Sequence, residues 1–197
     1  MGMHVEPAED RNDHPEGRED MTCRVVEPVR VASPVLGADY RYFYYERPSR
    51  MYMACELAQA LARLAELLAE HDVVEVVHVG TYNCRTLRGG ASLSQHATGT
   101  AIDIAGVKLA DGTEYTVLDD WETLYGEPVL PGGILLHDLA WAMHSEGLFN
   151  VVLTPEYNEA HANHFHVDLT PGAQFLGKKN GIPASTIGTF DEAGYLD

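Results

Sequence analysis

Two histidine-bearing segments of the chain contain side chains that could bind a metal ion. The first is SLSQHATGTAIDIAG at residues 92–106, in which Asp103 follows His96 by seven positions. The second is HANHFHVD at residues 161–168, in which one residue separates two of the three histidines. Two imidazoles and a carboxylate are a common zinc set, and three protein ligands leave a fourth position open for water. The two segments together therefore indicate a metal site of the catalytic type.

Spacing alone carries little weight in this argument. With ten histidines in the chain, roughly one His followed by Asp at the seventh position is expected by chance. Two occur, His96–Asp103 and His161–Asp168. The strand AIDIAGVKL at 101–109 is more informative, because it places Asp103 on a face shared with alanines, and a buried carboxylate needs a partner. We favour the metal site; the alternative is that Asp103 pairs with an arginine and the histidines only pack or are solvated.

The segments around these residues predict the elements that position them. YMACELAQALARLAELLAE at 52–70 has leucines at helical spacing, and ILLHDLAWAMHSEG at 134–147 predicts a second helix. VVEVVHV at 73–79 and AIDIAGVKL at 101–109 are typical of strands, and EYTVL at 114–118 follows a turn. Helices and strands mix without βαβ regularity. We therefore predict an α+β fold, a single domain with a mostly antiparallel sheet packed against helices.

Composition divides the chain into three regions. Residues 1–22 are polar, acidic and without periodicity, which predicts a mobile acidic N-terminal tail. Residues 23–170 form the predicted domain. Residues 171–197 are rich in glycine and proline and are expected to be a C-terminal extension. We expect the protein to be a monomer.

Charge and composition narrow the possible partners. A net charge of −17 argues against a nucleic-acid partner, and no apolar run is long enough to predict a membrane span. The cysteines Cys23, Cys55 and Cys84 form no CxxC pair, so a thiolate zinc cluster is not expected, and a single disulfide stays an open alternative. Four nearby tyrosines suit either a sugar-stacking platform or a packed strand edge, which is the commoner use: Tyr40, Tyr42, Tyr44 and Tyr45.

The combined segments TYNCRTLRGGASLSQHATGTAIDIAG and LTPEYNEAHANHFHVDL resemble the extensin-like C-terminal domain family of bacterial proteins. That family is similar to the zinc peptidases typified by D-alanyl-D-alanine carboxypeptidases, lysostaphin-type enzymes and the Hedgehog signalling domain, which share SxHxxGxAxD followed by HxH. The resemblance implies a Hedgehog/DD-peptidase-like fold and hydrolysis of cell-wall (peptidoglycan) peptides through a zinc-bound water. It also suggests the cell envelope or secretion as the compartment. The chain shows no signal pattern of its own, so the cytoplasm is the alternative.

Carried over by position, the resemblance implies that His96, Asp103 and His166 bind Zn²⁺. It places His164 beside the metal as a catalytic group. It also implies that Ser94 and Arg85 hold a substrate carboxylate, a task that suits the arginine fork. Arg85 is otherwise a surface residue or a partner for Asp103.

The chain departs from the peptidases at the position of the general base. They usually carry Asp or Glu three residues before the last zinc ligand, where this chain has Asn163, which cannot take a proton from water. His161 either takes part in catalysis, by orienting water or substrate, or hydrogen-bonds Asp168 as a structural clip, which we favour. The alternative to catalysis is a zinc-binding module that recognises a cell-wall component or a protein partner. Four other side chains could replace the missing base: His161, His164, Glu156 and Glu159.

Overall fold

The computed structural model describes residues 2–45, 48–87, 90, 92–122 and 127–177. Within these residues, the chain alternates short strands with three helices. In chain order the elements are β1 (His4–Pro7), β2 (Pro28–Ala32), β3 (Asp39–Tyr42), β4 (Arg50–Ala54), α1 (Cys55–Glu70), β5 (Val73–Gly80), β6 (Ala101–Leu109), β7 (Glu114–Thr116), α2 (Val117–Asp120), α3 (Pro131–Ser145), β8 (Val151–Leu153), β9 (Phe165–Asp168) and β10 (Phe175–Gly177).

The strands form one large sheet and one small sheet. The large sheet has the order β10-β8-β9-β6-β5-β3, and β7 pairs with the second half of β6. The small sheet has the order β1-β2-β4. All strand pairs are antiparallel except β10 with β8 and β3 with β5, at the two ends of the large sheet. The predicted α+β class with a mostly antiparallel sheet is confirmed.

The core lies between the large sheet and the helices α1 and α3. The leucine stripe of α1, with Leu57, Leu61 and Leu64, is buried in one cluster with Ile102 of β6 and Val167 of β9. Because successive side chains of a strand point to opposite faces, their neighbours Asp103 and His166 lie on the face turned away from this core. The apolar face of these two strands thus anchors them, and the other face can carry polar groups.

The helix predicted from residue 52 begins later than its composition suggests. Arg50–Ala54 forms β4, which pairs antiparallel with β2, and the helix begins at Cys55. Met51, Tyr52 and Met53 are all buried, so both faces of β4 are covered. Tertiary burial therefore outweighs the local helical tendency there.

No helix among the described residues is long and apolar enough to cross a lipid bilayer.

The N-terminal region differs from the predicted mobile tail. β1 pairs with β2 over four residues, from His4 opposite Ala32 to Pro7 opposite Val29. A disulfide joins Cys23 to Cys84, and Cys55 has a free thiol. The segment is thus held against the domain by a sheet and by a covalent bond. Composition failed to show this because the pairing partners are distant in sequence.

The C-terminal boundary also shifts. β10 (Phe175–Gly177) pairs in parallel with β8, so the fold extends beyond residue 170. The rest of the predicted C-terminal extension, residues 178–197, lies outside the described residues.

The backbone at Gly99 generates a stability prediction. Gly99 has a φ of +70°, and a Cβ there would lie 2.9 Å from the Ala54 nitrogen. We expect Gly99→Ala to lower the free energy of unfolding by about 2–4 kcal/mol, through left-handed backbone strain and overpacking. Urea unfolding measures this. The control is Gly147→Ala, which has a φ of +63° but nothing within 4 Å, and should cost only about 1–2 kcal/mol. Equal losses would contradict the close approach.

Candidate metal centre

Three elements bring the predicted ligands together. Asp103 on β6 lies directly opposite His166 on β9 in the antiparallel register. His96 lies on the 3-10 helix Gln95–Thr98, which ends at Gly99 and leads the chain into β6. The predicted set of ligands is therefore one group in space, and this group could hold a metal ion.

The three ligand atoms form an almost equilateral triangle. His96 Nε2 lies 3.0 Å and His166 Nδ1 lies 2.9 Å from Asp103 Oδ1, and the two nitrogens are 3.1 Å apart. A point about 2.0–2.1 Å from each atom, the usual zinc–ligand distance, lies about 1 Å outside their plane. A single ion can therefore contact all three atoms with little movement of the side chains.

Each of the two histidine rings makes a hydrogen bond on the side turned away from the centre. These hydrogen bonds determine which ring nitrogen faces the centre with a lone pair. His96 Nδ1 lies 3.3 Å from the Thr81 carbonyl oxygen, and His166 Nε2 lies 2.9 Å from an Asp168 oxygen. Carbonyl and carboxylate oxygens only accept, so each of these nitrogens donates its N–H. The inward nitrogens of the neutral rings are then bare, which is the arrangement of metal-binding histidines. Two lone pairs and a carboxylate oxygen thus face one point, and only a cation can relieve their repulsion.

The pKa values of Asp103 and His166 also indicate that the group is stable only with a positive charge in it. Burial raises the pKa of Asp103. In the metal-free state the charge of a protonated His96 and the hydrogen bonds that protonated His166 and His96 donate outweigh burial and hold this pKa well below its usual range. Burial lowers the pKa of His166, but hydrogen bonds with Asp103 and Asp168 outweigh it and raise this pKa to about 9. The ionised Asp103 therefore stabilises either a protonated His166 ring or a metal ion. Metal binding must release the proton from His166.

His164 lies beside the centre and is oriented by Asn163, the residue at the position where the peptidases usually carry an acid. Its Nε2 is 3.7 Å from Asp103 Oδ1, and its Nδ1 is 2.8 Å from Asn163 Oδ1. Because the amide oxygen accepts, Nδ1 donates, and Nε2 carries the lone pair that faces the centre. Burial lowers the pKa of His164; the charge of Asp103 opposes this effect, but the charges of the other histidines and of Arg85 add to it, so the pKa stays lowered and the neutral ring is favoured.

His161 makes a different contact from the one we favoured. Its Nδ1 lies 2.7 Å from Asn158 Oδ1, whereas the carboxylate of Asp168 binds His166 and the Thr170 N–H. The expected hydrogen bond between His161 and Asp168 is therefore absent. Asp168 binds His166 instead, because the two side chains lie on the same face of β9. The His161 ring still lies near the centre, with its centroid 5.9 Å from that of His166.

The two predicted substrate-binding residues have different surroundings. Arg85 is exposed, and its charge lowers the pKa values of His161 and His164, which places it close to the centre. Ser94 is buried, and its hydroxyl accepts a hydrogen bond from the His96 N–H at 3.3 Å. Ser94 therefore caps the 3-10 helix that carries His96, which is a positioning role and leaves the hydroxyl turned away from solvent.

Sequence reasoning missed the residues that orient the two histidines. The Thr81 contact uses a backbone carbonyl, which no side-chain pattern can reveal. Asp168 carried a usable signal, because His166 and Asp168 are two positions apart on one strand and so share a face.

Fold and centre together define a class of protein: an α+β domain with a buried His-Asp-His group that could hold a metal ion. The family described as Extensin-like protein C-terminus matches residues 3–176, and the chain belongs to this family. No curated protein and no solved structure matches the chain. The family match includes β1 and extends into β10, in agreement with their place in the fold. The expected family membership is confirmed.

Metal content gives the first test of the centre. We expect the untagged protein, incubated with Zn²⁺ and gel-filtered, to retain about one ion per chain. His96→Ala should abolish this retention because it removes one of three ligands. Elemental analysis measures the ion. His14→Ala is the control, since His14 is exposed and its one hydrogen bond among the described residues is to a backbone carbonyl. Similar zinc loss in both variants would contradict the assignment.

The outer contact of His166 gives a second test. We expect Asp168→Asn to weaken metal affinity about 10- to 100-fold while leaving stoichiometry intact, because the ring loses its charged acceptor. A competition titration with a chromophoric chelator measures the affinity. The matched control is Asp111→Asn, because Asp111 accepts from the N–H two residues later in the same way as Asp168, yet contacts no histidine. Unchanged affinity in Asp168→Asn would refute the orienting role.

Proposed function

We propose that the protein is a zinc-dependent peptidase that hydrolyses cell-wall (peptidoglycan) peptides. The observation that carries this proposal is the bare Nε2 of His164, placed 3.7 Å from Asp103 Oδ1 beside three convergent ligand atoms. A set of two nitrogen ligands and one oxygen ligand suits zinc in a catalytic setting, in which three protein ligands leave a fourth position for water. The resemblance of the SxHxxGxAxD and HxH motifs to those of zinc peptidases supports the substrate class.

The ligands and the metal have distinct tasks in this proposal. His96, Asp103 and His166 would hold the ion, with Thr81 and Asp168 fixing the two rings. Zinc in such a site lowers the pKa of bound water to ~7 and polarises a carbonyl group.

His164 would take the proton from the attacking water. A general base must have a free lone pair within reach of the water, and its neutral form must be populated at neutral pH. The contact with Asn163 provides the first condition, and the lowered pKa of His164 provides the second. Asn163 then orients the base instead of being the base. Neither Glu156 nor Glu159 forms an ion pair with these histidines among the described residues.

Arg85 would bind a carboxylate of the substrate. Among the described residues it forms no ion pair, and it is exposed beside His161 and His164. A guanidinium accepts a carboxylate as two parallel hydrogen bonds. The arrangement therefore suits a peptide with a free carboxylate near the cleaved bond.

Asn163 also favours a second function, a zinc-binding module that recognises a wall component without cleaving it. Its amide cannot act as a base, so the centre would bind without hydrolysis if His164 did not replace it. Asn163→Asp separates the two functions. A zinc-loaded native chain that cleaves no muropeptide, next to an Asn163→Asp variant that does, would show that the native protein is the binding module.

The role of His164 gives the catalytic prediction. We expect His164→Gln to keep its zinc but to hydrolyse muropeptides roughly 100- to 10,000-fold more slowly, because a general base is lost. Chromatography of digested muropeptides gives the rate, and elemental analysis gives the zinc content. His14→Gln is the control. A rate in His164→Gln equal to that of the native chain would remove His164 from the mechanism.

A further inference from the structure

A cavity of about 530 Å³ lies apart from the metal centre. Its volume is within the ~300–1,000 Å³ of small-molecule sites. None of the three ligands, nor His164 or Arg85, lines it. It borders the small sheet and the ends of β3 and β5, and Thr81, whose carbonyl binds His96, is one of its lining residues. The cavity thus neighbours the metal centre and is chemically distinct from it.

Positive charge is concentrated around this cavity. Arg11, Arg30 and Arg50 line it, and no carboxylate does so among the described residues. Asp13 pairs with Arg11 at 3.5 Å and Glu6 pairs with Arg50, whereas Arg30 forms no ion pair within the described part of the chain. In a protein of net charge −17 with 13 Lys and Arg residues, three arginines in one cavity favour an anionic ligand.

Among the described residues that line this cavity, only arginines carry charge at neutral pH. His78, the histidine among the described lining residues, is buried, and its Nε2 lies 2.7 Å from the Ser49 hydroxyl. Burial lowers the pKa of His78 to about 4, so the ring is neutral at physiological pH. Guanidinium groups stay charged across this range, so anion binding would not depend on pH between about 5 and 9.

Tyrosine rings provide the remaining wall. Tyr42 and Tyr45 stack with centroids 5.5 Å apart, and Tyr45 is 57% exposed. The guanidinium of Arg30 lies 5.5 Å from the centroid of the Tyr52 ring, which holds the charge at the cavity wall. Aromatic faces are electron-rich and attract the polarised C–H groups of a sugar ring.

We propose that this cavity binds an acidic saccharide. The carboxylate would be held by Arg30, whose guanidinium offers two parallel donors, while the sugar ring packs on Tyr42 and Tyr45. Such a carboxylate can belong to a uronic acid or to the lactyl group of a muramic acid, and the chemistry of recognition is the same. The site requires no metal, so its test does not depend on the proposed peptidase activity.

Matched sugars test the carboxylate. The full chain, treated with EDTA, would be titrated with cellobiouronate and cellobiose, and with N-acetylmuramate and N-acetylglucosamine. Binding is followed by NMR shifts of the protein. We expect at least one acid to bind tenfold or more tightly than its neutral counterpart, and the pair that does so identifies the source. The proposal is overturned if neither acid binds more tightly than its neutral counterpart. It is also overturned if inorganic phosphate, added at the same concentration as the sugar, displaces the sugar.

Matched arginine variants test the location. Arg30→Gln should remove the tenfold preference, whereas Arg63→Gln should keep it. Within the described part of the chain Arg63 also lacks a carboxylate partner, and its guanidinium donates to the backbone carbonyls of residues 146 and 147. Shifts in the native protein must map to Tyr42, Tyr52 and Tyr82. Shifts centred on His166, or a preference that survives Arg30→Gln, would overturn the assignment.

Discussion

The convergence of two imidazole lone pairs on one carboxylate oxygen is the constraint on which the rest of the domain depends. His96 Nε2 and His166 Nδ1 lie within 3.1 Å of each other and of Asp103 Oδ1, in a site where all three side chains are largely shielded from water. Such a cluster repels itself unless a proton or a metal ion lies in it. The scaffold must therefore hold the three groups together against their own electrostatics.

The register between β6 and β9 keeps Asp103 and His166 in place. A shift of β9 by one residue along β6 would turn His166 into the core and Phe165 out of it. Ile102, Ile104 and Val167 are buried under α1 and α3, so such a slip would expose a full apolar face to solvent. The hydrophobic pattern on one face thus fixes the polar chemistry on the other. The Cys23–Cys84 disulfide adds a covalent tie next to Arg85.

The parts of this structure that could be predicted are those encoded by local pattern. The alternation in AIDIAGVKL predicts a strand at Ala101–Leu109, and the structure has it with those bounds. Residues 52–54 of β4 were predicted as the start of a helix, because the pairing of β4 with β2 joins segments that are distant in sequence and leaves no local pattern. β1 was missed for the same reason. In the site, residue types indicated two imidazoles and a carboxylate, and the family resemblance implied which three residues these are. The N–H of His96 is donated to a backbone oxygen of Thr81, which carries no side-chain signal.

The asparagine at position 163 is consistent with a histidine base for an electrostatic reason. A carboxylate there would add a second negative charge next to His164, which already faces Asp103 at 3.7 Å. That charge would favour the protonated ring and occupy the lone pair that the proposed mechanism needs. The neutral amide fixes the same tautomer without raising the pKa, while burial and the charge of Arg85 lower it. Exchange of the acid for its amide thus suits a site in which the imidazole takes the proton.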